Sequence, residues 1–492
     1  MLNIAGDSFA DANHVYAQDL HVFGDGSLFE LLCIARTSIG QRGLANYLLE
    51  APALEETLLR QEAVRELRGR VELREKIAML GQLDFAESRW NTFEEWLRSP
   101  KLTFFRPLPI LGAITSGLLA GLVLVGFSTA ISWAPVVGWI GALIGFHAVI
   151  GMVFRRKVTG MLDLVRPISI ETKVREGLAL LATEQFESSK LRRLSDQVRG
   201  GSASIRKLER LVNALVERDK EFFYVFSRLL LVGTQLCMAI EQWRMENGDA
   251  LNGWLKAWAE FEALNALAGY GYENPENTFP EFSTDEVCFE ALGLGHPLLS
   301  HSSCVASDVD LHLESPFYVI SGSNMSAKST LLRSIGLNAV LAFAGAPVRA
   351  GSLRLSGLSI NASMSILDSL LNGKSKFLAE VERLRLAIQS AEGKRSVLFL
   401  IDEILGGTNS RDRRVAAEAV VRTLVNRGAV GALSTHDLAL TEIANAEGLR
   451  GVNVHMGSRN EKNPMDFDYK LKPGVTTEAN ALAIARMAGV PV

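Results

Sequence analysis

The sequence predicts an α-helical region interrupted by a transmembrane helical hairpin and followed by an α/β domain on a mostly parallel sheet. Three observations predict this. Leu and Ile recur at three- and four-residue spacings through much of the first half, the mark of amphipathic helices. Residues 107–154 contain no Asp, Glu, Lys or Arg. After Ala291 short, fully apolar runs alternate with helical stretches, as buried parallel strands do. A chain of 492 residues is too long for one ordinary domain. A net charge of -4 does not announce a nucleic-acid partner. Cys33, Cys237, Cys288 and Cys304 lie far apart with no C-x-x-C pair, so neither a zinc site nor a disulfide framework is expected, and a reducing cytoplasm is the simplest compartment.

Residues 1–100 read as a helical core. "MLNIAGDSFADANHVYAQDL" has acidic residues and no basic start, so it does not read as a signal peptide. "SLFELLCIARTSIGQRGLANYLLE" and "ALEETLLRQEAVREL" carry helical periodicity broken near Ala51 and Pro52, which predicts two or three helices.

Residues 101–157 form the apolar hairpin. The uncharged run is about twice the roughly 20 residues a helix needs to cross a bilayer. "STAIS" separates its halves, with Arg106 before it and Arg155, Arg156 and Lys157 after it. Cations at both ends and none in the turn place both flanks in the cytoplasm. The alternative is a helical hairpin buried in a soluble core, which can also be apolar all round. His147, the one ionisable side chain in the run, reads as a packed or hydrogen-bonded histidine.

Residues 158–290 return to helix and end in the linker "GYGYENPENTFPEF". Lys190, Arg192, Arg193, Arg199, Arg206, Lys207 and Arg210 stand there against Asp196 and Glu209. Such a strip is either a phosphate-binding face or a solvated helix surface.

Residues 291–492 hold the chemistry. "PFYVISG", "VLFLIDE" and "VGALSTHD" are apolar runs ending in small or polar residues, and α/β sheets place ligands at the C-terminal ends of such strands. After the first comes "GSNMSAKS", close to the phosphate loop G-x-x-x-x-G-K-[ST], with Ala327 where the second glycine is usual. The ATP-binding candidates are Gly322, Ser323, Asn324, Met325, Ser326, Ala327, Lys328, Ser329 and Thr330. Peptide N–H groups at a helix N-terminus face phosphate. Lys328 would bridge the terminal phosphates and the Ser329 hydroxyl would hold Mg²⁺. Alanine is tolerable there if its φ stays negative. Asp402 would hold the Mg²⁺ shell, and Glu403 would orient or deprotonate the attacking water. His436, at the end of the next strand, would sense the terminal phosphate or position the water.

Residues 291–492 resemble the ATPase domain of the MutS family, the mismatch-repair clamp ATPases related to ABC-type ATPases. The likeness rests on "GSNMSAKS", "DEILGGT", Thr435–His436, "GLGHPLL" and "YKLKPGVTTEANALAIARMAGVPV". "GKSKFLAEVERL" is similar to the family's Ser-x-Phe-x-x-Glu segment, with Ser375, Phe377 and Glu380 in register. The resemblance implies a P-loop ATPase domain using ATP and Mg²⁺, a homodimer, and Ser375 reaching the partner subunit's nucleotide. Upstream, residues 26–67 are similar to the start of the family's core domain, and "EFEALNALAGYGYENPEN" resembles the end of its lever helices. The departures are expectations too. Mismatch-reading and connector domains, a Phe-x-Glu wedge and the dimerising tail find no counterpart, and the apolar hairpin stands where the family grafts its clamp.

The resulting expectation is a membrane-associated, dimeric ATP-driven switch with a cytoplasmic ATPase domain, linked to DNA repair and able to meet DNA through the levers. The rival reading is a non-hydrolysing membrane scaffold whose nucleotide site has drifted, as Ser326 and Ala327 would hint.

Overall fold

A computed structural model describes residues 5–80, 96–100, 107–126, 133–165, 172–217, 230–323, 326–364, 376–406, 409–460 and 463–476. Four helices open the chain: α1 (Leu28–Leu32), α2 (Ser38–Leu49), α3 (Leu54–Gly69) and α4 (Val71–Met79). Ser27 and Thr37 cap the first two by accepting the N–H groups of Glu30 and Gly40, the usual way a short polar side chain starts a helix. The break between α2 and α3 falls at Glu50–Ala53, around the predicted Ala51–Pro52.

The apolar block forms α5 (Leu108–Gly126) and α6 (Trp133–Val165), which pack on each other. The connection at 127–132 lies outside the described residues. The hairpin is not buried by the rest of the chain. Ile110, Trp139 and Met152 are 65%, 67% and 78% exposed, and only 11% of the most apolar stretch, Pro135–Phe154, is buried. Among the described residues one helix is long and apolar enough to cross a membrane by length and composition. His147 behaves as its sequence suggested: it is buried between the two helices, 2.9 Å from the Thr115 hydroxyl.

Helices α7 (Thr172–Thr183), α8 (Ser189–Val198) and α9 (Gly201–Glu217) lead to α10 (Val232–Glu273), a helix of 42 residues. Its first turns meet the hairpin, where Leu231 and Met238 cluster with Leu108 and Ile150. Its C-terminal turns run through the main core beside α2 and α3. Glu262 of α10 is fully buried beneath the start of α2, accepting the Arg36 N–H at 2.9 Å and the Thr37 hydroxyl. Lys190 leaves the proposed basic strip, since it is buried and held by Glu56 and, at 2.7 Å, by Glu260. Apolar packing left its charge no route to water, and two carboxylates took it instead. The remaining cations of that strip are exposed.

Two sheets follow. A small one has the order β1-β5-β2-β3, from β1 (Glu281–Ser283), β2 (Cys288–Leu294), β3 (Ser307–His312) and β5 (Ser352–Ser356). The larger runs β10-β9-β4-β8-β7-β6, from β4 (Phe317–Ser321), β6 (Ser359–Ser363), β7 (Val397–Asp402), β8 (Val430–Thr435), β9 (Gly451–Asn460) and β10 (Asn463–Pro473). All its pairings are parallel except β10 with β9. Helices α11 (Lys328–Ala344), α12 (Lys376–Ser390) and α13 (Ser410–Asn426) flank it. Burial of β4, β7 and β8 on both faces explains their unbroken apolar runs. Residues 14–22 are stapled to this domain: Val15 accepts the Ala362 N–H, and Asp19 accepts the Met364 N–H at 2.8 Å and pairs with Arg383 at 3.1 Å.

Candidate functional site

Strand β8 lies between β4 and β7, so the three predicted strand ends open side by side. The loop leaves β4 at Gly322, whose φ is +151°. A Cβ there would fall 2.5 Å from the Met456 carbonyl oxygen of β9, so glycine is required by space as well as by conformation. The Ser326 hydroxyl donates to the Ser323 carbonyl at 2.8 Å and tightens the turn. Asn324 and Met325 lie outside the described residues.

Ala327 does not meet the condition of a negative φ. Its φ is +71°, in the left-handed region that costs an L-residue roughly 1–2 kcal/mol. The tight entry into α11 demands that backbone whether or not glycine supplies it. Lys328 then begins the helix, and its ammonium donates to the Gly322 and Ser323 carbonyls, both at 2.8 Å. Burial lowers the Lys328 pKa, and the carboxylates of Glu403 and Asp402 oppose that shift. Thr330 follows on the first turn and faces a cavity beside the loop.

Asp402 is the junction. The Ser329 hydroxyl donates to its Oδ2 at 2.6 Å, and the Ser434 hydroxyl donates to its Oδ1. Ser434 is the β8 residue registered opposite Asp402. A hydroxyl and a carboxylate so close are a fitting donor pair for Mg²⁺, which takes one or two protein ligands and completes its shell with phosphate and water. Among the described residues no group of three or more His, Cys, Asp or Glu could hold a metal. Glu403 is also left-handed, at φ +50°, and Leu405 at +52°. Backbone outliers of this kind concentrate at functional sites. The Glu403 N–H donates to the Ser434 carbonyl at 3.1 Å, and its side chain meets His436 Nδ1 at 3.1 Å, both groups half-exposed. The buried Glu380 carboxylate accepts the Leu405 N–H and pins this bend.

The structure therefore gathers Lys328, Ser329, Asp402, Glu403 and His436. Ser375 lies outside the described residues. Sequence reading missed Ser434, which was legible only once β8 was paired with β7. It also missed the cavity of about 270 Å³ beside the loop, lined by His296, Ala327, Thr330, Met456 and Tyr469 among others. Burial, followed by nearby Arg333 and Arg349, pushes His296 down to about 4.

Residues 318–492 match the family model for MutS domain V. The chain is similar to the DNA mismatch repair protein MutS of Lactobacillus acidophilus, 30% identical over 245 residues, which are 48% of this chain and 28% of that protein. It is 31% identical over 240 residues to the DNA mismatch repair protein MutS of Natronomonas pharaonis, covering 48% and 27%. The MutS of Thermosipho melanesiensis is 28% identical over 290 residues, covering 57% and 34%. The chain thus spans about a third or less of the length of these relatives.

Proposed function

Since the chain belongs to the MutS family, we propose that it binds and hydrolyses ATP with Mg²⁺ as a dimeric conformational switch. The observation that carries this reading is the meeting of Ser329, Asp402, Glu403 and His436 at the ends of neighbouring strands. Lys328 exchanges its two carbonyl partners for the terminal phosphates, and the loop N–H groups hold the rest of the phosphate chain. Ser329 and Asp402 would hold Mg²⁺, which when bound supplies positive charge against the phosphate oxygens. Glu403 takes the proton of the attacking water, and His436 keeps the carboxylate turned toward it through the 3.1 Å contact. The cavity lined by Thr330 and Tyr469 takes the base.

Glu403 and His436 stand half-exposed, and water at an open face weakens electrostatic stabilisation. A second copy closes that face, with Ser375 supplying its hydroxyl across the seam. The first turn of α12 exposes Phe377 and Leu378, in keeping with a partner surface. DNA meets the exposed cations of α8 and α9, Arg192, Arg193, Arg199, Arg206, Lys207 and Arg210, linking the switch to DNA repair. The outward apolar faces of α5 and α6 seat the hairpin in a bilayer with the ATPase domain in the cytoplasm.

The test is ATP turnover of wild type and Glu403→Gln, with and without duplex, branched and single-stranded DNA at several salt concentrations. Turnover should fall by roughly two or more orders of magnitude in the variant while ATP binding persists. A wild type that binds ATP but hydrolyses no faster than Glu403→Gln sinks the enzyme reading. That result would favour the non-hydrolysing scaffold, for which the strained Ala327 is the supporting observation. Mixing Lys328→Ala with Ser375→Arg tests the shared site, because only mixed dimers hold one intact pair of halves.

A further inference from the structure

Arg349 follows α11 and is only 9% exposed. Its side chain makes one hydrogen bond, from Nη1 to the Leu299 carbonyl, and no carboxylate among the described residues pairs with it. Lys190 and Arg244, also buried, are matched by carboxylates, Lys190 by Glu56 and Glu260 and Arg244 by Glu241 at 2.6 Å, whereas Lys328 in the phosphate loop rests on carbonyls alone. A guanidinium this enclosed without a carboxylate partner is unfavourable, and its free edge opens on a cavity that can admit an anion.

The surroundings hold Arg349 in place. Its N–H donates to Asn338 Oδ1 at 2.7 Å, and Asn338 Nδ2 donates to the Gly295 carbonyl at 2.9 Å. Arg349 Nε lies 2.9 Å from where a Cβ on Gly295 would stand, so the side chain rests on bare backbone. Arg349 lines a cavity of about 210 Å³ together with Asn277, Gly293 and Gly351. Glu276 also lines it, but its carboxylate is engaged by His301 Nε2. Leu299 and Cys304 stand between this cavity and the one beside the phosphate loop.

We propose that this cavity is a second ligand site, headed by Arg349, for a small oxyanion bearing a phosphate or carboxylate group. The free edge of a guanidinium grips two oxygens of such a group at once.

Inorganic phosphate and acetate are titrated separately into the full chain carrying Lys328→Ala, which removes phosphate capture by the loop, with chloride holding ionic strength constant. At least one anion should raise the thermal midpoint saturably, as a ligand of the folded state does. Adding Arg349→Met should abolish that response, and in chloride buffer without phosphate or acetate the double variant should be at least as stable as its parent. A response that survives Arg349→Met unchanged, or the absence of any saturable response while Arg349 is intact, overturns the proposal. If Arg349→Met does not fold, Arg349→Lys replaces it: this keeps the charge but loses the two-pronged grip, and anion affinity should fall about tenfold or more. Equal affinity would overturn the assignment as well.

Discussion

The larger sheet and the hairpin bury opposite kinds of residue. In β4, β7 and β8 the apolar side chains are inside and the polar ones gather at the strand ends, where Ser329, Asp402 and Ser434 meet. In α5 and α6 the apolar side chains face outward, while His147 and Thr115 are enclosed between the helices. The same hydrophobic effect explains both if the two regions have different surroundings. Apolar surface would then leave water in either case, and a polar pair within the hairpin would satisfy itself where hydrocarbon offers no partner.

The largest effect that would break this comparison is at the polar end of the sheet. Lys328→Ala should cut ATP affinity and turnover together, whereas Glu403→Gln should cut turnover and spare affinity; binding and single-turnover measurements separate the two. Identical defects would mean the two residues do not divide the work as proposed. Next in size is the hairpin. Leu118→Lys and Ile144→Lys each place a cation on an outward face, at about 3 kcal/mol apiece in a bilayer core but within about 0.5 kcal/mol on a wetted surface. Carbonate-resistant pelleting of wild type, reduced by the pair of lysines, is the expected result. A wild type recovered in the soluble fraction would erase the contrast.

A third probe sits where the helical regions join. Burial raises the Glu262 carboxyl to about 7, despite hydrogen bonds from Thr37 and Arg36 that favour ionisation. The folded state therefore holds this proton more tightly than the unfolded chain, whose carboxyl titrates near 4.5. The associated stability is complete below about pH 4.5 and is lost as pH rises through about 7, on the order of 3 kcal/mol at most. Glu262→Gln should flatten unfolding free energy between pH 5 and 8; an unchanged slope would assign that pH dependence to other groups. The smallest effect is Ala327→Gly, which relieves the left-handed backbone and should stabilise the protein by about 1 kcal/mol in thermal unfolding. An unchanged midpoint would show that the loop absorbs the methyl elsewhere.

Much of the site was legible because strand ends and loop chemistry are local. Asp402 and Glu403 announce themselves after five apolar residues, and Lys328–Ser329 after a glycine-bearing turn. Ser434 was hidden because its part depends on β8 lying between β4 and β7, a long-range pairing that no window of sequence contains. The sign of φ at Ala327, left as a condition by the sequence, was hidden for a related reason: the path of the chain into α11 set it, over alanine's own preference. Lys190 looked like its charged neighbours until the fold placed Glu56 and Glu260 around it. His147 was readable because an isolated polar residue in an apolar run has few options besides a neighbouring helix.

One feature of the scaffold sets a mechanical scale. At 1.5 Å per residue, the 42 residues of α10 extend for about 63 Å, from a first turn against Leu108 and Ile150 to a last turn where Gly271 abuts Pro347. Gly248 and Gly253 fall near its middle, where the helix has the least side-chain bracing of its own backbone. The expectation is two arms joined at a more compliant middle. A tilt of about 5° over the whole rod displaces its far end by about 5 Å, while bending at the joint would absorb part of that travel. Alanine at 248 and 253 stiffens the joint, at 253 with a small shift of the Gln197 amide 3.1 Å away. Any motion passed along α10 would therefore depend on two positions, 248 and 253, where glycine leaves out a methyl group.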